Sequence, residues 1–168
     1  MGRVVVKRSK LLEQLRALGA TQKHVAVGVI GQKATEHAEQ IGPDGQPVPS
    51  PLTVAEVAHM NHYGTSTAPA RPFMLIAMHL HQDELRRLQA RLGLGLLQGK
   101  LTLEQALGLL GEATAAKIKQ TIADGKQHFT PNAPATVARK GGDTPLINFG
   151  QLRGAITYAV RNSDDGEG

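Results

Sequence analysis

A chain of 168 residues is long enough to bury one hydrophobic core without covalent or metal staples. The absence of cysteine excludes a disulfide scaffold, a thiolate zinc site and a cysteine nucleophile, and it fits folding in a reducing cytosol. A formal charge of +5 allows either a nucleic-acid footprint or a basic surface that meets acidic partners, and 3% aromatic residues are too few for a base-stacking platform, so the surface reading leads.

The N-terminal segment is basic at Arg3, Lys7, Arg8 and Lys10. An amphipathic helix follows, capped by Ser9, with Leu11, Leu12, Leu15 and Leu18 on one face and Gly19 as its stop. Glu13 and Arg16 interrupt it, so no signal peptide is expected there, and no apolar run approaches the roughly 18 residues of a membrane span. His24 to Gly31 is rich in β-branched residues and reads as a strand; its glycines do not run directly into a helix as a phosphate loop would. Ile41 to Pro51 carries four prolines with Gly42 and Gly45, and predicts an exposed irregular arm. Thr53 with Glu56 forms a capping box for a short helix that stops at Tyr63-Gly64.

Pro69-Ala70-Arg71-Pro72 is an extended connector, because each proline biases the residue before it away from the helical region. Pro72 suits the start of a long helix with Phe73, Ile76, Leu80, Leu85, Leu88 and Leu92 as its apolar stripe. Gly93, Gly95 and Gly99 then allow either a loop or a kink over residues 93–102. A second capping box, Thr102 with Gln105, opens a helix with Leu103, Leu107, Leu110, Ile118 and Ile122, running up to Gly125 and packing antiparallel to the first. His128 to Thr144 reads as another irregular arm, Gly150 to Gly154 as a single turn, and Ala155 to Val160 as a strand. The expected architecture is α+β: a small, mostly antiparallel sheet packed against two longer helices, in one domain over residues 1–161, with an acidic tail over 162–168.

Two segments carry a resemblance. His62-Tyr63-Gly64-Thr65 followed by Pro69-Ala70-Arg71-Pro72-Phe73, and then Thr136 to Lys140, Pro145-Leu146-Ile147 and Gly150-Gln151-Leu152-Arg153 to Tyr158, resemble the signature of tailed-bacteriophage minor tail, tail-completion and head–tail joining proteins. The likeness spans most of residues 23–161, and departs from the family pattern at Asn148, Phe149 and Ala155. It implies a virion protein made in the bacterial cytoplasm, forming a ring, six-fold by the family's habit, between the tail tube or tail terminator and the head connector. Under that reading Tyr63, Arg71, Phe73, Arg139, Lys140, Asn148, Phe149 and Arg153 are the candidate contacts between subunits or with partners. Arg71, held between prolines, is suited to an acidic group on its own or a neighbouring chain, and the arms over 41–52 and 126–144 are suited to ordering on docking.

The residues do not assemble into a reaction centre, and no enzyme, cofactor or metal is expected. His59 and His62 are three apart without the intervening glutamate of a zinc helix, and His79 and His81 point to different faces. Ser50, Ser66 and Ser163 lack a nucleophile-elbow context, and Asp83-Glu84 and Asp164-Asp165 read as solvated surface. The alternative is a basic protein that touches the genome in the neck channel, whose signature would be a steep salt dependence of duplex affinity.

Overall fold

The computed structural model describes residues 22–42 and 44–162. The amphipathic helix expected over Ser9 to Gly19, the basic N-terminal cluster and the acidic residues 163–168 lie outside that range. In chain order the described elements are β1 (Lys23–Val29), α1 (Gln32–Thr35), β2 (His37–Ile41), β3 (Pro47–Thr53), α2 (Val54–Tyr63), α3 (Phe73–Leu97), α4 (Leu103–Ala123), α5 (Gly125–His128), α6 (Pro134–Lys140), α7 (Gln151–Ala155) and β4 (Ile156–Asn162). The α+β expectation holds, with the strands divided between two antiparallel pairs, β1 with β4 and β2 with β3.

β1 and β4 pair along their full lengths, from Lys23 opposite Asn162 to Val29 opposite Ile156. Asn162, expected at the start of the tail, is thus the last residue of a strand. α4 lies on this pair so closely that Gly111 is covered by the Tyr158 ring and by Val25, where a Cβ would stand 2.6 and 2.7 Å from them. β4 runs along α4 towards its start. Ile156 belongs to the core cluster with Ile118 and Ile122, whereas Lys23, opposite the far end of β4, pairs with Glu104 at 3.4 Å.

α3 and α4 form the expected antiparallel pair. Glu84 and Lys117, nearly equidistant from the connection, meet at 2.6 Å. The helix continues through Gly93 and Gly95 and ends at Leu97; residues 98–102 are a tight turn rather than a kink. Gly99 makes the turn with φ +67, a left-handed conformation that costs glycine little, and the amides of Gln98, Gly99 and Lys100 donate back to the carbonyls of Leu94, Leu96 and Gly95. Leu101 folds over Gly95, where a Cβ would come within 2.8 Å of its side chain.

The buried faces differ from the expected stripes. α3 buries Phe73, Ala77, Leu85 and Leu92, while Leu80 is 46% exposed. α4 buries mainly small residues, Ala106, Gly111, Thr114, Ala115 and Thr121, beside Ile118 and Ile122. Small side chains let the helix approach the sheet closely, and a count of large apolar residues does not see them. α4 also ends at Ala123, before Gly125, and a separate single turn, α5, follows.

Both expected irregular arms contain regular structure. Residues 47–53 form β3, although Pro47, Pro49 and Pro51 fall within it. Pro47 lies opposite Ile41 and Pro49 opposite Glu39, while the Gly42 amide donates to the Gln46 carbonyl at 2.8 Å. Antiparallel pairing alternates, so Gln40 with Val48 forms the next hydrogen-bonded pair and these two prolines occupy the intervening positions, where no ladder amide is needed. In the second arm, Pro134 opens the helix α6 at a position where its missing amide costs nothing.

Candidate functional site

The capping box of α2 is as read. Glu56 N–H donates to Thr53 Oγ1 at 3.3 Å, and Glu56 Oε2 accepts from Thr53 N–H at 2.7 Å and from the Thr53 hydroxyl at 2.8 Å, two bonds that hold the Glu56 carboxyl below its ordinary range. The helix then ends at Gly64, whose φ of +80 and approach to Ala70, 2.8 Å from where a Cβ would stand, exclude other residues. That close turn brings the Pro-Ala-Arg-Pro connector back along α2, and Arg71 N–H donates to the Asn61 carbonyl at 2.8 Å.

Arg71 is consequently buried, 8% exposed, and points at the segment after α5. Its Nε donates to the Thr130 carbonyl at 3.0 Å, and its Nη2 donates to the Pro131 carbonyl and Asn132 Oδ1, each at 3.3 Å. The acidic partner expected from the sequence is therefore replaced by main-chain carbonyls and one side-chain amide of the same chain. Asn132 continues the network by donating to the Asp143 carbonyl at 3.2 Å, and the Asp143 carboxylate meets Lys126 at 2.5 Å. One planar guanidinium thus clamps the first motif to residues 130–132, 59 to 61 residues further along the chain and just ahead of the closing motif.

Beside this clamp lies a groove of about 330 Å³. One wall is β2, a second is α2 through Val57 and Asn61, a third is α6 with Arg139 and Lys140, and the closing motif supplies Leu146 to Leu152. Lys140 Nζ donates to the Thr144 carbonyl at 3.0 Å. Burial and the neighbouring Arg71 lower its proton affinity, and Asp143 only partly offsets them. Asp143 is itself drawn to Lys126, and its carboxyl is held low for that reason. The lining therefore carries three cations, Arg71, Arg139 and Lys140, against the single carboxylate Glu39. Leu146 on the floor has φ +63, an uncommon conformation for a non-glycine residue that costs about 1–2 kcal/mol.

Five of the eight candidate residues meet in this groove: Arg71, Arg139, Lys140, Asn148 and Phe149, the last 40% exposed at its rim. The other three lie elsewhere. Tyr63 is 68% exposed and packs tilted against His59 and edge-on against His62, with ring centroids 4.6 and 4.7 Å away. Phe73 is fully buried in the core, and Arg153 is exposed on α7 without lining the groove. His62, one of the expected ordinary helix histidines, is buried edge-on against Phe73 at 5.3 Å, and its Nδ1 has no hydrogen-bond partner. Among the described residues no three His, Cys, Asp or Glu side chains converge as metal ligands, and no helix is long and apolar enough to cross a membrane. Ser50, read as a loop residue, lies in β3, where its Oγ accepts from Leu52 N–H at 3.1 Å.

One further side chain shapes the groove and is not predicted by local spacing. Gln151 accepts from Glu39 N–H at 2.8 Å through Oε1 and donates from Nε2 to the His37 carbonyl at 3.0 Å, so its amide pairs with the outer edge of β2 as a neighbouring strand would. It stands in the quoted Gly-Gln-Leu-Arg motif, but its role depends on a strand that the proline-rich sequence hid. Comparison of the chain with protein-family models, with curated proteins and with solved structures finds no match.

Proposed function

We propose that the chain is a structural virion protein of a tailed phage, completing the tail or joining it to the head as a ring in the neck, and that it acts by binding rather than by catalysis. The observation that carries this reading is the convergence of the two motif segments on one site. Arg71 from the first is bonded to residues 130–132, and the closing segment walls the adjacent groove. Segments so far apart in sequence, gathered around one groove, form a polar, cation-rich face, which suits docking onto other proteins. In a closed heterologous ring each subunit presents one such face in the same orientation. Six copies placed between the head connector and the tail tube or terminator would then act as a geometric adaptor.

The test is the particle made without this chain, imaged beside the mass of the purified protein in solution. Tailless heads with free tails, together with a ring-sized mass, are the expected result. Normal virions would remove the reading. A titration with duplex DNA separates the rival: salt-steep binding that persists near physiological ionic strength would favour a genome-contacting protein instead.

A further inference from the structure

The two strands of the hairpin have very different free edges. On β3 the outward positions are occupied by Pro47 and Pro49, which have no amide to offer, so that edge is closed to a further strand. On β2 the outward backbone groups belong to His37, Glu39 and Ile41, because alternate residues face the same side. The Gln151 side chain takes the His37 carbonyl and the Glu39 amide. The Glu39 carbonyl and the Ile41 amide point the same way, and both residues line the groove. Extended backbone is therefore presented along one wall and cations along the other.

We propose that this groove receives an extended acidic segment from a second copy of the chain, residues 163–168, which carry Asp164, Asp165 and Glu167. Charge complementarity supports the assignment. The lining holds Arg71, Arg139 and Lys140 against Glu39, and Asp143, the carboxylate beside Lys140, is engaged by Lys126 at 2.5 Å. An arriving carboxylate relieves the repulsion between Arg71 and Lys140 and forms charge-assisted bonds with Arg139 and Lys140. The geometry selects a second copy over the same one. β4 starts beside the groove wall at Ile156 and carries the chain along α4 towards Glu104, over seven residues and thus about 20 Å. Asp164 and Asp165, two and three residues beyond Asn162, regain at most about 10 Å even when fully extended. The reach of these two carboxylates from Asn162 is thus shorter than the distance β4 covers, which favours the groove of a neighbouring copy, a head-to-tail contact of the kind that closes into a ring.

This inference rests on the ring part of the proposed function, and sedimentation of the full-length protein tests the two separately. Wild type should self-associate, more weakly as salt rises. R139E/K140E and D164K/D165K/E167K should each weaken association by at least about tenfold. An equimolar mixture of the two should restore it, since each groove then meets a tail of opposite charge. Circular dichroism checks that each variant folds, and R139Q, which alters one exposed side chain, gives a milder form of the same loss. A protein lacking residues 163–168 that assembles like wild type would overturn this contact and leave the ring. A full-length protein that stays monomeric at all concentrations reached would overturn both.

Discussion

Replacing Gly111 by alanine sets two effects of known sign against each other. Glycine inside a helix costs about 1 kcal/mol relative to alanine, so propensity alone favours the change. The new methyl would stand 2.6 and 2.7 Å from Cδ2 and Cγ of the Tyr158 ring and 2.7 Å from Val25 Cγ2, separations that real Cβ atoms do not show. These atoms sit near the roots of their side chains, in a strand whose seven-residue register is fixed, so relief requires the sheet and helix to separate. Overpacking of this kind costs about 1–3 kcal/mol, which outweighs the propensity gain over most of that range. Gly108, one turn earlier in the same helix, is the control: a Cβ there meets only the Tyr158 hydroxyl end, at 3.8 Å, so Gly108→Ala should stabilise by up to about 1 kcal/mol. The two variants should separate by about 1–3 kcal/mol, which in a chain of this size is roughly 2–12 °C in Tm. Thermal melts by circular dichroism, with urea midpoints as a second measure, decide it. Should Gly111→Ala raise Tm as Gly108→Ala does, the described packing of α4 on β1 and β4 is wrong.

Three other perturbations follow from the same geometry. Thr53→Ala and Thr102→Ala each remove a capping oxygen and should cost about 1 kcal/mol in urea unfolding; no loss at either would discard that capping box. His62 is held below the ordinary histidine value, first by burial and then by repulsion from His59, so in the folded chain it takes up its proton at lower pH than in the unfolded chain. Below about pH 6.5 the unfolded state therefore binds more protons, and stability falls with pH until the folded value is passed. His62→Leu should flatten that decline between pH 7.5 and 5.5, and equal declines for both proteins would refute the assignment. Arg71→Lys keeps the charge but cannot hold three acceptors in a planar fork, and Arg71→Ala leaves the Thr130 and Pro131 carbonyls without their donor. We expect a loss of about 2 kcal/mol or more for the alanine variant, and faster amide exchange at Thr130 and Asn132 for both. Unchanged exchange there would show that the clamp does not order the segment.

What was legible in the sequence was local. Each capping box needs a threonine and the acid or amide three residues later, and those few atoms decide the bond whatever lies beyond them. The stop at Gly64, the strand around Val25 and the strand after Gly150 were readable for the same reason. The proline-rich segment was misread because proline is excluded only where a ladder amide is required, and whether one is required depends on the partner strand. Residues 134–140 look irregular from composition alone, although Pro134 at the first turn of a helix is compatible with it.

The sequence by itself determined a cysteine-free basic chain, the starts of its three longest described helices, two of its four described strands and the α+β class, because these follow from composition and from bonds within a few residues. Only the tertiary structure decided that Arg71 turns inwards to carbonyls rather than outwards to an acid, and that Tyr63 lies on the surface while Leu80 leaves the buried face of its helix. The groove itself is a tertiary fact, since β2, α2, α6 and the closing segment are distant in the chain. Packing sets which side chains meet and which cations share a carboxylate, and spacing along the chain carries no record of that.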